Sequence, residues 1–507
     1  MSSISHRYSK RHRSQPSHYL STVTSNDEER QLQRAIANSR MDVRSAPLCV
    51  PAGPTFYPTV EEFEGNPLTY IAKIQHVAAQ YGICKIVPPK GWNPPLCVDM
   101  NSEKKFETRE QLLHRLQEGI SFEDGEEYTP VSYQNHAADL TAKWKAAHYS
   151  TDDDESDSAA SECSPKPNKP MTAESLEQDY WSIVETQRFS MAVEYGNDID
   201  TSKYWSGFPL SRRGRSVYSP PGVENQLAEN ENCNPAFGTE EFYRESYWNL
   251  NNIACAPGSI LSHVKVGING INVPWLYFGS LFTTFCWHNE DNYLYSINYH
   301  HSGAPKLWYG VPGNKKDADG LERVFKNYLA MKLREVPDLL HHITTMISPR
   351  LLQQSGVPVY RILQHPGEFV VTFPQAFHSG FSLGPNIGEA VNFASPDWIP
   401  FGGDANERYR TFSRPSVFSH DRLIFTIANH VKTLDLNSCE LLANELKRIM
   451  VEEVNSRSNL FKSGVRDVSD RIQLPKNRCD KVDEASAEYD DKRLCHSCWN
   501  ERRNVVE

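Results

Sequence analysis

The sequence predicts a mixed α/β protein, mainly β, in which a double-sheet jelly roll carries helices on either side of it in the chain. Two observations lead there. Between residues 176 and 402 short β-branched and aromatic runs alternate with Gly/Pro punctuation, as in TTFCWHNEDNYLYSINY and EFVVTFPQAFHSGF. Helical stripes flank that region: Leu68, Ile71, Ile74, Ala78 and Tyr81 before it, then Leu423, Ile424, Ile427 and Val431, and Leu442, Leu446, Ile449 and Met450 after it. No internal repeat is present, which argues against a solenoid or propeller.

Residues 1–52 are polar and poor in apolar side chains, so a disordered tail is expected, with Arg7, Lys10, Arg11 and Arg13 as a candidate nuclear-import patch. Residues 53–95 form a helix-helix-strand unit. Thr59 followed by Glu62 reads as a capping box, a second helix runs from Pro67 to Tyr81 with Gly82 as its stop, and Ile83–Val87 reads as a strand. Such a unit is too small to bury its own stripe and should dock on the rest of the chain. Residues 96–175 read as a variable acidic linker around the tract Asp152–Asp157 and the segment SAASECSPKPNKP. After the jelly roll, residues 403–475 form a helical domain, with Ser419 capping one helix and a second near Ser438–Val454. Residues 476–507 are a tail.

The chain of 507 residues has a formal charge of −11, which argues against wrapping DNA through bulk electrostatics and suits a basic peptide partner. Eleven cysteines are scattered singly except for Cys495 and Cys498. With no charged-then-apolar leader and no apolar run near the ~20 residues that span a bilayer, the expected setting is soluble and reducing, with no membrane partner.

The chemistry is carried by His288 and Glu290, two apart on a strand-like run, and by His378 on another. Residues i and i+2 of a strand project the same way, so the first pair can reach one metal and His378 can complete a facial set from a strand across a barrel. Two imidazoles and one carboxylate leave coordination positions open, which suits non-haem Fe(II) and dioxygen, whereas a structural metal would be closed by four ligands. The bland alternative is a pair of strand residues facing a wet groove. Ser296, Asn298 and Lys306 continue the run as a polar series in an apolar stretch, the pattern of a lined cavity.

FCWHNEDNYLYSINYHHSGAPKLWYGVPG, FVVTFPQAFHSGF and GEAVNFASPDWIPFG resemble a JmjC domain, and Pro54–Pro89 resembles the JmjN segment that accompanies it in histone lysine demethylases. KLWYGVPG, PDLLHHITTMISP, GVPVYR, EAVNF and SVFSHDRLI resemble the JARID-type branch, which acts on lysine 4 of histone H3. The likeness covers roughly residues 53–95 and 176–475. It implies a double-stranded β-helix core of the cupin kind, with docked JmjN helices and a C-terminal helical domain. It also implies Fe(II) held by His288, Glu290 and His378, with 2-oxoglutarate and O2 as co-substrates. Lys306 and Tyr195 would hold the far carboxylate of 2-oxoglutarate. Phe285 would pack on it, and Ser296 and Asn298 would bond around it or orient the ligands. Tyr277 and Asn392 would line a methyl-lysine pocket.

The implied reaction is oxidative N-demethylation, releasing formaldehyde and open to di- and trimethyl-lysine. Implied partners are the methylated histone H3 tail and chromatin complexes in the nucleus. Alternatives are the same chemistry on lysine 9, lysine 36 or a non-histone protein, or a catalytically silent chromatin-binding protein.

Departures from the family pattern bear on selectivity: Ala304 where relatives often carry Glu, His300 where Leu is usual, and a loop FSLGPNIGEA without the common Asn-rich form. ARID and PHD modules, and with them a sequence-specific DNA reader, are not recognisable in residues 96–175. Cys495 and Cys498 supply half of a zinc set that begins a finger in the branch. Cys479 brings no His at useful spacing, so zinc is not expected there.

Overall fold

The N-terminal unit forms as its punctuation dictates. In this computed structural model, which describes residues 49–149, 170–186, 190–211, 235–336, 339 and 343–464, Thr59 and Glu62 exchange the two capping-box hydrogen bonds at the start of α1 (Val60–Glu64). Asn66 caps α2 (Pro67–Ala78), which tightens into a 3-10 turn at Ala79–Tyr81 and stops at Gly82, left-handed at φ 76°. A side chain at Gly82 would also strike the Val311 carbonyl. Beyond it β2 (Ile83–Ile86) pairs in parallel with β1 (Thr55–Phe56) and antiparallel with β11 (Phe369–Thr372). The unit therefore completes the larger sheet of the core instead of standing beside it. Its stripe is buried from Leu68 to Ala78, and Phe63, fully buried, stacks on Trp248 at 4.3 Å.

Two open sheets make up the core, with no closed barrel. The larger runs β1-β2-β11-β8-β13-β6-β5-β3-β4 and the smaller β10-β9-β12-β7. Their strands are β3 (Phe106–Leu112), β4 (Glu123–Tyr128), β5 (Ala192–Asp200), β6 (Trp275–Gly279), β7 (Thr284–His288), β8 (Tyr295–Gly303), β9 (Lys306–Val311), β10 (Tyr360–Gln364), β12 (Phe377–Ser382) and β13 (Asn386–Phe393). The double-sheet expectation holds. Among the described strands, every pairing other than β1–β2 is antiparallel.

One expectation fails over much of its length. Residues 106–148, read as part of an acidic linker, are folded as β3, β4 and α3 (Pro130–His148), and β3 extends the large sheet from β5. The strand FETREQL hides its apolar face because Thr108 and Gln111 occupy buried positions beside Phe106. Gln111 works as an extra strand residue: its side-chain amide donates to the Thr284 carbonyl and accepts from the Thr284 amide, both at 2.8 Å. That covers the free edge of β7, the strand that carries His288. The tract Asp152–Asp157 lies outside the described residues, as do Arg7, Lys10, Arg11, Arg13, Cys479, Cys495 and Cys498.

Helices close the outside of the small sheet and the C-terminal end. α4 (Ala173–Thr186) lays Tyr180 on Phe381 at 3.7 Å, and α5 (Glu240–Glu245), α6 (Lys315–Tyr328), α7 (Ala330–Glu335) and α8 (Pro349–Gln354) are connecting helices. α9 (Ile399–Thr411), α10 (His420–Ala428) and α11 (Leu436–Lys462) form the C-terminal helical layer, with Ser419 capping α10 as expected. α11 starts earlier and ends later than its stripe suggested, because Asp435 rather than Ser438 is the cap. Met450 is 60% exposed. The buried face is centred on Glu445, which His420 and Arg448 hold by charge-assisted hydrogen bonds, so Met450 rotates out of the core. Val431, 43% exposed, lies beyond α10 in a 3-10 turn.

Because β2 is a strand of the large sheet and Phe63 packs between Trp248 and Phe369 of β11, the N-terminal unit and the jelly roll should unfold together. Phe63→Ala is expected to lower stability by ~3–5 kcal/mol. Urea unfolding followed by tryptophan fluorescence and far-UV circular dichroism should show one coincident transition; two separated transitions would contradict this.

Candidate active site

Antiparallel pairing of β7 with β12 sets His378 directly opposite His288. Both rings point into the cleft, centroids 4.2 Å apart. Each has its tautomer set by a carbonyl two residues earlier. His288 Nδ1 lies 2.7 Å from the Cys286 oxygen and His378 Nδ1 lies 3.3 Å from the Ala376 oxygen, so both Nδ1 atoms carry the proton and both Nε2 lone pairs face inward. Glu290 Oε1 lies 3.3 Å from His378 Nε2 and 4.0 Å from His288 Nε2, and the three donor atoms fall within 4.8 Å of one another. Such a cluster fits one divalent cation with coordination positions to spare.

Two details differ from the sequence reading. β7 ends at His288, so Glu290 is not on the strand but opens a 3-10 turn at Asp291–Tyr293. His378 comes from the strand hydrogen-bonded to β7, not from across a barrel, so the imidazoles are fixed to each other by backbone pairing.

The same cleft, about 940 Å³ with its solvent-filled mouth, contains all ten residues singled out from the sequence. Lys306 opens β9 on its floor. It is buried and makes no hydrogen bond or ion pair with any described residue; its nearest partners are the ring faces of Tyr277 at 5.6 Å and Tyr195 at 6.0 Å. Burial holds its ammonium down to about 8. A buried unpaired cation is costly, so this end of the cleft is built for an anion. Tyr195 stacks near Tyr277, and burial pushes its hydroxyl well above the usual phenol range, keeping it a donor. Phe285 tilts against Trp308 at 4.5 Å. Ser296 shares a 2.7 Å hydrogen bond with Thr372 and accepts one from Asn298 at 3.2 Å. Asn392 donates to the Tyr295 carbonyl at 3.0 Å, and the Tyr277 hydroxyl donates to Asp198 at 3.3 Å.

Several lining residues escaped the sequence reading. Trp308 shares a strand face with Lys306, and its indole donates to Gln364, which pairs with Lys306 across β9–β10. The period-two spacing Lys306, Trp308 was the available signal. Asp198 sits in a bulge of β5 at φ 55°, a conformation Asp tolerates and nothing in AVEYGNDID announces. His300, noted as a departure, lines the cleft near Lys306. Its Nε2 donates to the Ala304 carbonyl at 2.8 Å, and burial, then Lys306, hold it down to about 3, so it stays neutral.

Comparison with known families matches three segments: a jmjN domain at residues 54–88, a "JmjC domain, hydroxylase" at 275–393, and the "Lysine-specific demethylase 5, C-terminal helical domain" at 397–452. Among similar proteins, lysine-specific demethylase JMJ703 of Oryza sativa is 40% identical over 418 residues, covering 74% of this chain and 30% of that protein. Lysine-specific demethylase JMJ17 of Arabidopsis thaliana is 44% identical over 290 residues, 57% of this chain and 22% of that one. Human lysine-specific demethylase 5D is 41% identical over 292 residues, 58% and 18% respectively. The chain thus spans less than a third of the length of these relatives. JmjC domains use Fe(II) and 2-oxoglutarate, and the ligand set found here fits that metal. The chain thus carries a JmjN segment, a JmjC domain with its ligand set intact and a demethylase-5 C-terminal helical domain, in that order, and its homologues are JARID (KDM5)-type and plant JMJ demethylases.

Proposed function

We propose that this chain is an Fe(II)- and 2-oxoglutarate-dependent demethylase of di- and trimethylated lysine 4 on histone H3, acting on chromatin in the nucleus. The observation that carries this reading is the pairing, in one cleft, of a three-ligand metal set with a buried cation that has no partner among the described residues. A dicarboxylic 2-oxoacid answers both: one end chelates a metal and the other neutralises Lys306. The choice of lysine 4 rests on the JARID-type likeness.

His288, Glu290 and His378 would hold the Fe(II), with the Cys286 and Ala376 carbonyls keeping both imidazoles in the coordinating tautomer. Lys306 and Tyr195 would anchor the far carboxylate, with Gln364 and Trp308 fixing the strand register that aims Lys306. Phe285 would give the carbon chain an apolar wall. Tyr277 and Asn392 would hold the methylated side chain beside the metal, and the aromatic lining keeps water out. When bound, the metal with 2-oxoglutarate and O2 supplies the oxidation: the co-substrate is decarboxylated to succinate while the N-methyl carbon gains oxygen and leaves as formaldehyde.

Formaldehyde release from a trimethyl-lysine-4 histone H3 peptide, with Fe(II), 2-oxoglutarate and ascorbate, tests the proposal. Turnover in the parent, abolished by His288→Ala, is expected. Equal turnover on a lysine 9 peptide would overturn the lysine 4 assignment, and peptide binding without turnover would favour a silent chromatin-binding role.

Lys306 generates two further expectations. Its folded value of about 8 lies below its ordinary 10.5, so the free fold binds fewer protons than the unfolded chain between those pH values. Burying the ammonium therefore costs stability at and below pH 8, and the cost fades as pH rises toward 10.5. Lys306→Met should stabilise the co-substrate-free protein at pH 7 by on the order of 1–3 kcal/mol while abolishing 2-oxoglutarate binding; a loss of stability in thermal unfolding would contradict this. In the parent, 2-oxoglutarate affinity should fall as pH rises through about 8, by about tenfold per unit beyond it. Calorimetric titrations at several pH values check this, and a flat profile from 7 to 9 would remove Lys306 from the binding site.

A further inference from the structure

Glu290 is the one metal ligand that no strand holds. It leaves β7 and opens a turn in which two consecutive residues other than glycine, Asn292 at φ 52° and Tyr293 at φ 51°, adopt the left-handed conformation. Such a pair persists only where the surroundings over-determine it. The turn contributes little of that itself. It closes two short backbone bonds, Tyr293 to Glu290 and Leu294 to Asp291, and both polar atoms of the fully buried Asn292 side chain lack a partner among the described residues.

The C-terminal helical domain adds direct hydrogen bonds to the turn. The Asn292 amide donates to the Tyr409 hydroxyl at 2.8 Å, and the Asn292 carbonyl accepts from the Trp398 indole at 2.9 Å. Tyr409 donates in turn to Asp291 at 3.4 Å. Trp398 and Tyr409 are both buried and neither lines the cleft, so neither can touch substrate or metal. They sit on a rigid support. α9, which carries Tyr409, is tied to α11 through Glu407, Arg410, Arg448 and Glu452, and His420 of α10 is tied to Glu445 of α11.

We propose that the helical domain is a positioning element of the metal centre, with Tyr409 and Trp398 clamping the strained turn that aims the Glu290 carboxylate at the two histidines. Metal affinity is then set partly by two residues outside the jelly roll. This rests on the three-ligand reading of the site.

The test compares three full-length proteins: the parent, Tyr409→Phe, and Leu442→Ala. Tyr409→Phe removes one hydroxyl and leaves the Asn292 amide unpaired. Leu442→Ala opens a cavity in the same helical domain while leaving the Tyr409 hydroxyl, the Trp398 indole and their hydrogen bonds to the turn in place. Metal-free protein is titrated with Co(II), following its visible absorption, and thermal midpoints are recorded alongside. Tyr409→Phe should weaken Co(II) binding by about tenfold and change the absorption bands. Leu442→Ala should bind Co(II) as the parent does although its midpoint falls. Unchanged affinity and bands in Tyr409→Phe would overturn the inference, as would equal weakening in Leu442→Ala. A parent that binds no Co(II), or a His288→Ala variant that binds it as well as the parent, would instead overturn the three-ligand reading and this inference with it.

Discussion

The antiparallel pairing of β7 with β12, which sets His378 opposite His288, is the constraint around which the molecule is arranged. It places His288 and His378 face to face by backbone hydrogen bonding, and each ring is locked by a carbonyl of its own strand. Once two Nε2 lone pairs converge, the neighbouring structure serves to hold that convergence. Gln111 seals the open edge of β7, α4 packs on the back of β12 through Tyr180, and β9 continues the small sheet to put Lys306 at the cleft floor. The N-terminal unit contributes from a distance by widening the large sheet, so that the strand opposite the site is not an edge.

The site is assembled from groups that are unfavourable until something binds. Glu290 and two inward-facing imidazoles make a donor cluster that favours a cation, while Lys306, lining the same cleft, is a buried cation that favours an anion. Both are desolvated, and Lys306 has no counter-charge among the described residues. Stability has been given up to pre-organise the cleft, and ligand binding restores it. The strained turn at Asn292 and Tyr293 belongs to the same pattern, with the helical domain supplying the restraint.

The local signals were legible where one residue type fulfils one local requirement. Thr59 with Glu62, Pro67 and Gly82 announced the N-terminal helices, and the order of apolar runs announced two β-sheets. His288, Glu290 and His378 were visible because their chemistry is rare in an apolar strand. What escaped was decided by tertiary contacts. β3 buries Thr108 and Gln111, so its alternation reads as polar. Glu290 leaves the strand through a turn whose hydrogen bonds come from Tyr409 and Trp398, more than a hundred residues later. The buried face of α11 is centred on Glu445, because His420 and Arg448 neutralise that carboxylate, and a hydrophobic stripe alone misplaces it by part of a turn.

That the metal cluster and Lys306 form one site for a single dicarboxylate is tested most directly by measuring 2-oxoglutarate affinity calorimetrically with and without Mn(II). A molecule bridging both groups must bind them cooperatively, so Mn(II) should tighten 2-oxoglutarate and 2-oxoglutarate should tighten Mn(II) by the same factor. Equal 2-oxoglutarate affinity in metal-free and metal-loaded protein would contradict the shared site.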